Sequence, residues 1–181
     1  MIQKALFAAL TVSAIALPAF AANSGLAVGE AVTPFHPAHI TGPNKGTTAC
    51  PPCTYGNRPQ VQVWVNGDSL ENVAKIAGVL NKTAASNKEF KGFVIFLTSD
   101  KPATEKAIVE ANKKLGYDAI AMATLAPGDS AVKNYKVNVA SEVKNTVFVY
   151  KDKKVTAKFV NLEANEKGLG QLNEAIAKIT N

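Results

Sequence analysis

The sequence predicts an α/β protein built on one mixed sheet with helices on both of its faces. Three observations lead there. Apolar, β-branched runs alternate with helical periods through residues 61–125, a pattern that calls for parallel strands joined by right-handed crossovers. Two further strands then face each other across a charged turn, so the closing pair is antiparallel. The chain has 181 residues, which without a leader leaves about 160, enough for one ordinary core and too few for two large ones.

Val61-Gln62-Val63-Trp64-Val65 is a short β-branched run and reads as a strand, with Trp64 packed on a sheet face. Asn66-Gly67 turns the chain. Asp68, with Glu71 three residues on, forms the capping box of a helix whose inward stripe is Leu70, Val73, Ala74, Ala77 and Leu80. Phe93 to Leu97 is a nearly continuous apolar run and reads as a buried strand. Pro102 suits the first turn of a second helix, Ala107, Ile108, Ala111 and Leu115 form its stripe, and Gly116 suits its stop. Ala119 to Leu125 is a third strand, and Pro127 to Tyr135 a loop with one helical turn. The hairpin pairs Thr146–Tyr150 with Val155–Val160 across Lys151-Asp152-Lys153-Lys154. A last helix runs from about Glu166, with Leu169, Leu172, Ile176 and Ile179 on one side.

The N-terminus reads as a secretory signal. Lys4 supplies a positive start, Ala5 to Leu17 an apolar run too short to span a bilayer, and Ala19-Phe20-Ala21 a small-residue cleavage site. The expected organisation is a signal peptide over 1–21, an extended segment over 22–60 and the α/β core over 61–181. Residues 22–60 are rich in Gly, Pro, Thr and Asn without a helical period, and Gly42-Pro43-Asn44-Lys45-Gly46 is their firmest turn. No membrane span is expected after cleavage, and the expected location is the periplasm or the exterior.

Composition narrows the function. The net charge of +6 is almost all scattered lysine, and Arg58 is the only arginine. No basic stripe is interleaved with aromatics, so nucleic acid is not the expected partner. Asp68 and Glu71 have no partner that would make them an acid–base pair. Both histidines sit in one loop and supply no spaced triad, and no Gly-rich phosphate loop is present.

What remains is Cys50-Pro51-Pro52-Cys53. An exported chain meets conditions that allow disulfides, and two cysteines make one pair. The two prolines fix two φ angles and stiffen the loop. Gly56 and Pro59 follow closely, so no helix is expected there. Arg58, His36, His39 and Lys45 are candidate cations for lowering a thiol pKa, Arg58 being nearest in sequence, with Tyr55 as a further supporting residue. Three readings stay open: a redox pair exchanging with partner protein thiols or disulfides, a structural disulfide in a scaffold or binding domain, and a metal site. In the last, His36, His39, Cys50 and Cys53 follow the pattern His-x2-His-x10-Cys-x2-Cys and would offer four ligands to zinc or soft ligands to copper(I). The exchange reading needs no cofactor. Thr54 stands where haem attachment would need a histidine.

The element order with a nearby Cys-x-x-Cys, and the stretch from Gly42-Pro43 through Cys50-Pro51-Pro52-Cys53 to Pro59 leading into a strand, resembles the thioredoxin-like superfamily in its redoxin and peroxiredoxin-like branches. The resemblance covers roughly residues 30–180. It implies a three-layer fold, thiol–disulfide exchange, and Cys50 as the attacking thiol with Cys53 resolving. Two features depart from the family pattern. The family's cysteines follow the first core strand, where this chain has Asn66-Gly67-Asp68-Ser69. The family's cis-proline before the closing hairpin is replaced by Asn145.

Overall fold

Strict alternation sets the central strand. In Gln60–Val65 (β2) the three valines point to one face and Gln60, Gln62 and Trp64 to the other, and all six are buried. A strand buried on both faces belongs in the middle of a sheet, and β2 lies there in the computed structural model, which describes residues 23–181. The expected signal peptide falls outside the described residues.

The remaining elements are β1 (Ala38–His39), α1 (Pro51–Tyr55), α2 (Leu70–Ser86), β3 (Lys91–Leu97), α3 (Lys101–Leu115), β4 (Ala121–Leu125), α4 (Ser130–Asn134), β5 (Asn145–Lys151), β6 (Lys154–Val160) and α5 (Glu166–Thr180). The sheet order is β1-β4-β3-β2-β5-β6. β2, β3 and β4 run parallel, whereas β5 is antiparallel to β2, β6 to β5 and β1 to β4. The hairpin turn places Asp152 and Lys153 at positive φ, 53° and 60°, the two left-handed positions that match the twist of a tight hairpin.

Two cores result. The valine face of β2 packs under α2, α3 and α5 with Ile76, Leu80, Ile108, Leu172, Ile176 and Ile179. The Trp64 face packs with Phe93, Ile95, Tyr135 and Phe148 under α4 and the N-terminal segment. Leu26, Val32 and Phe35 are buried there, so the segment before residue 60 completes one of the two layers.

The structure corrects four local expectations. Ser69, not Asp68, caps α2, its Oγ accepting from the Asn72 N–H at 3.1 Å, and Glu71 pairs with Lys75 one turn on. Leu70, expected in the inward stripe, is 62% exposed, and Ile76 takes the buried place. Of the α3 stripe only Ile108 is buried. Lastly, Pro51 opens a one-turn helix where none was expected. Prolines at the first two helical positions lose no intrahelical bond, because those N–H groups have no acceptor there anyway.

Candidate functional site: the Cys50–Cys53 disulfide

Cys50 and Cys53 are joined by a disulfide, with Cα atoms 5.2 Å apart. Cys50 is the N-cap of α1, and its Sγ accepts from the Cys53 N–H at 3.2 Å. Pro51 and Pro52 are buried beside it. The two halves of the bridge differ in access. Cys50 is only 5% exposed, whereas Cys53 and Thr54 lie on the exposed side of α1. The exposures thus run opposite to the expected order of attack.

Long-range contacts hold this turn in place. The His36 Nδ1–H donates to the Thr48 carbonyl at 3.0 Å, and the His39 Nε2–H donates to the Ala49 carbonyl at 2.9 Å. Both imidazoles therefore grip the two residues that lead into Cys50. The turn at Gly42 lies so close to β4 that a Cβ there would collide with the Ile120 carbonyl oxygen. The far end of α1 is anchored by a run of buried side-chain bonds. Trp64 Nε1 donates to Gln62 Oε1, Gln62 Nε2 to the Tyr150 hydroxyl, Tyr150 to Gln60 Oε1, and Gln60 Nε2 to the carbonyl of Gly56. Burial holds the Tyr150 hydroxyl well above its ordinary pKa, so it stays protonated as the donor in this run.

Arg58 and Tyr55, the expected supporting residues, are both engaged with neighbouring side chains. Arg58 pairs with Glu89, 3.3 Å off, in an exposed ion pair. Tyr55 packs on Phe93 at 5.6 Å and donates to Asn44 Oδ1 at 3.2 Å. His36, His39, Cys50 and Cys53, the residues considered for zinc or copper, are each otherwise engaged in this structure. The sulfurs are bonded to each other, both imidazoles hold backbone carbonyls, and no group of three or more ligating side chains forms among the described residues.

His39 is itself buried, its ring set edge-on to Phe93 and its Nδ1 without a hydrogen-bond partner. Burial lowers its pKa below the ordinary histidine value, with the bond to Ala49 opposing in part. The sign follows: the unfolded chain takes up the proton first, so this contribution to stability is complete above the unfolded histidine pKa of about 6.5 and is lost as pH falls below it. The melting temperature of the parent is therefore expected to fall between neutral pH and mild acid more steeply than that of His39→Gln, which keeps an amide donor for Ala49 and cannot titrate. Equal slopes in the two proteins would remove His39 from the acid response.

The position that follows the first parallel strand holds a closed polar network. Asp68 Oδ2 accepts from Asn72 Nδ2 at 2.7 Å and from Asn145 Nδ2 at 2.6 Å. The same two amides bind the Leu162 carbonyl, and Asn145 Oδ1 accepts the Leu162 N–H. Asp68 and Asn145 each stand out in the sequence, but nothing in it signals that they meet.

No family model matches the sequence, and no curated protein matches it. Solved structures do match in shape. One is a Chlorobium tepidum protein assigned as thiol:disulfide interchange protein DsbE, with a TM-score of 0.66 at 14% identity over 86% of this chain and 99% of that one. Peroxidoxin BcpB of Mycobacterium tuberculosis gives 0.61 at 16% identity, covering 85% and 98%. A secreted Mycobacterium tuberculosis disulfide oxidoreductase homologous to Escherichia coli DsbE gives 0.58 at 16%, covering 80% and 95%. At such identities the likeness is one of fold. The chain has the thioredoxin-like fold, with the Cys50–Cys53 disulfide placed before the first parallel strand of the sheet.

Proposed function

We propose that this is an exported thiol–disulfide exchange protein acting on protein thiols or disulfides through Cys50 and Cys53. The observation that carries the reading is a disulfide between residues three apart, one of them exposed. So short a ring removes little entropy from the unfolded chain, worth about 2 kcal/mol in the loop-closure account, so stapling is a weak reason for the bridge. Accessibility to a second thiolate is what exchange requires. The fold supports the same reading, since the matching structures include a thiol:disulfide interchange protein and a disulfide oxidoreductase. Export rests on the charged and apolar N-terminal run with its Ala19-Phe20-Ala21 site.

In the oxidising direction a substrate thiolate attacks the bridge, forms a mixed disulfide and releases one protein thiolate. A second substrate thiolate then attacks the mixed disulfide, leaving the substrate oxidised and both cysteines reduced. Run backwards, the same steps reduce a substrate disulfide. The expected result is reversible reduction of the parent in glutathione buffers together with oxidation of a reduced, unfolded test protein or reduction of insulin. The Cys50→Ser/Cys53→Ser double variant should lose that turnover entirely while losing only about 2 kcal/mol of stability. A parent without turnover, combined with a much larger stability loss in the double variant, would establish the scaffold reading.

A further inference from the structure

The geometry points to Cys53, not Cys50, as the sulfur that meets the partner, with Cys50 as the buried resolving thiol. The inference rests on the exchange reading and assigns the roles within it. Thiol–disulfide exchange needs the incoming thiolate to approach along the S–S axis, on the side away from the leaving sulfur. Cys53 lies on the outward side of α1, so approach to its sulfur comes from solvent. Cys50 offers a partner far less surface, since it is 5% exposed with Pro51 and Pro52 buried beside it.

The leaving side is equally prepared. When the partner's sulfur bonds to Cys53 Sγ, the bond to Cys50 Sγ breaks and its electron pair remains on Cys50. The Cys53 N–H already points at that sulfur from 3.2 Å, and a hydrogen bond to the charged form favours it. His36 and His39 hold the carbonyls of Thr48 and Ala49 by bonds in which neither sulfur takes part, which keeps Cys50 within reach. It can attack Cys53 Sγ in the mixed disulfide, expel the partner thiolate and restore the bridge. Substrate that cannot complete its own oxidation is thereby released. The order is the reverse of the one the family resemblance implies, and the reason is local. Here the N-terminal cysteine is the buried cap of α1, and the C-terminal one lies on its exposed side.

The test uses the parent protein. Fully reduced parent is treated with limiting iodoacetamide at neutral pH, and the peptide carrying both cysteines is fragmented to locate the label. Cys53 is expected to react faster than Cys50 by more than about fivefold, as its greater access dictates. A smaller ratio, or one favouring Cys50, overturns the assignment. Glutathione then serves as the probe in single variants. Cys50→Ser should accumulate a stable glutathione adduct, and Cys53→Ser should form it more slowly by a similar factor; the reverse order overturns the assignment again. The outcomes separate the two proposals. Turnover with Cys50 labelled first leaves exchange standing and the roles wrong, whereas faster labelling of Cys53 without turnover overturns exchange, and the roles within it, and leaves only the difference in access.

Discussion

Substituting Trp64 with alanine is expected to cost about 3–5 kcal/mol, the range for deleting a large buried aromatic. That is a large share of the 5–15 kcal/mol available to an ordinary domain. Trp64 is fully buried at the centre of the sheet, with Phe35 at 5.1 Å and Tyr135 at 4.7 Å between ring centroids. Phe35 belongs to the segment that runs into His36, β1 and the cysteine turn. Removing the indole therefore opens a cavity beneath the segment that carries Cys50. It also strips Gln62 Oε1 of its donor at the head of the side-chain run that ends on Gly56. Urea denaturation followed by far-UV circular dichroism measures the loss, since Trp64 is the protein's only tryptophan and its fluorescence goes with it. Trp64→Phe restores most of the packing and should recover the larger part, leaving about 1 kcal/mol for the missing hydrogen bond. If alanine costs no more than phenylalanine, the ring cluster is not what anchors the N-terminal layer.

The regular part of this architecture was legible because its signals are local and periodic. Alternation in residues 61–65, the apolar run at 93–97, the helical stripe of α5 and the charged turn at 151–154 each identify one element, and the parallel–antiparallel order follows from their sequence. The three strongest misses share a cause, which is that tertiary partners decide them. α1 is five residues long and begins with two prolines, so it has no period to read, and it is held by Gln60, whose role depends on Tyr150 across the sheet. Arg58 is near the cysteines in sequence, yet its ion pair is with Glu89, which no local pattern signals. Which half of the bridge is buried depends on residues 36–49 looping back from β1, a loop closed by two imidazole–carbonyl bonds. The cysteine pair itself was plain from its spacing. The difference between its two sulfurs was not, because it arises from packing and not from composition.

Replacing Asn145 with alanine should be the most informative single change at the other end of β2. Asn145 is 1% exposed and its side chain joins three partners: Asp68 Oδ2 at 2.6 Å, the Leu162 carbonyl at 3.1 Å and the Leu162 N–H at 2.9 Å. Alanine leaves the Leu162 N–H buried without that acceptor and removes a charge-assisted bond from Asp68. Asn72 still serves both Asp68 and the Leu162 carbonyl, so the damage is confined to one orphaned donor and two lost bonds. One buried unsatisfied donor costs about 1–3 kcal/mol and a bond to a charged group about 1.5–3, which puts the expected loss near 3 kcal/mol. Asn145→Asp should recover little, since a second carboxylate would face Asp68 and could not donate to it while ionised. The decisive readout is exchange activity measured where the variant remains folded. The thioredoxin-like resemblance implies a proline where Asn145 stands and cysteines where Asn66-Gly67-Asp68-Ser69 stands, whereas the disulfide of this chain precedes β2. A six-residue strand spans about 17–20 Å, so exchange at Cys50–Cys53 should stay within about twofold of the parent even as stability drops, because the two sites share no hydrogen bond and lie beyond the usual range of coupling. If folded Asn145→Ala instead loses turnover, the partner docks against the Asp68–Asn145 corner after all, and a bridge reached only from the far end of the sheet cannot be the whole of the working site.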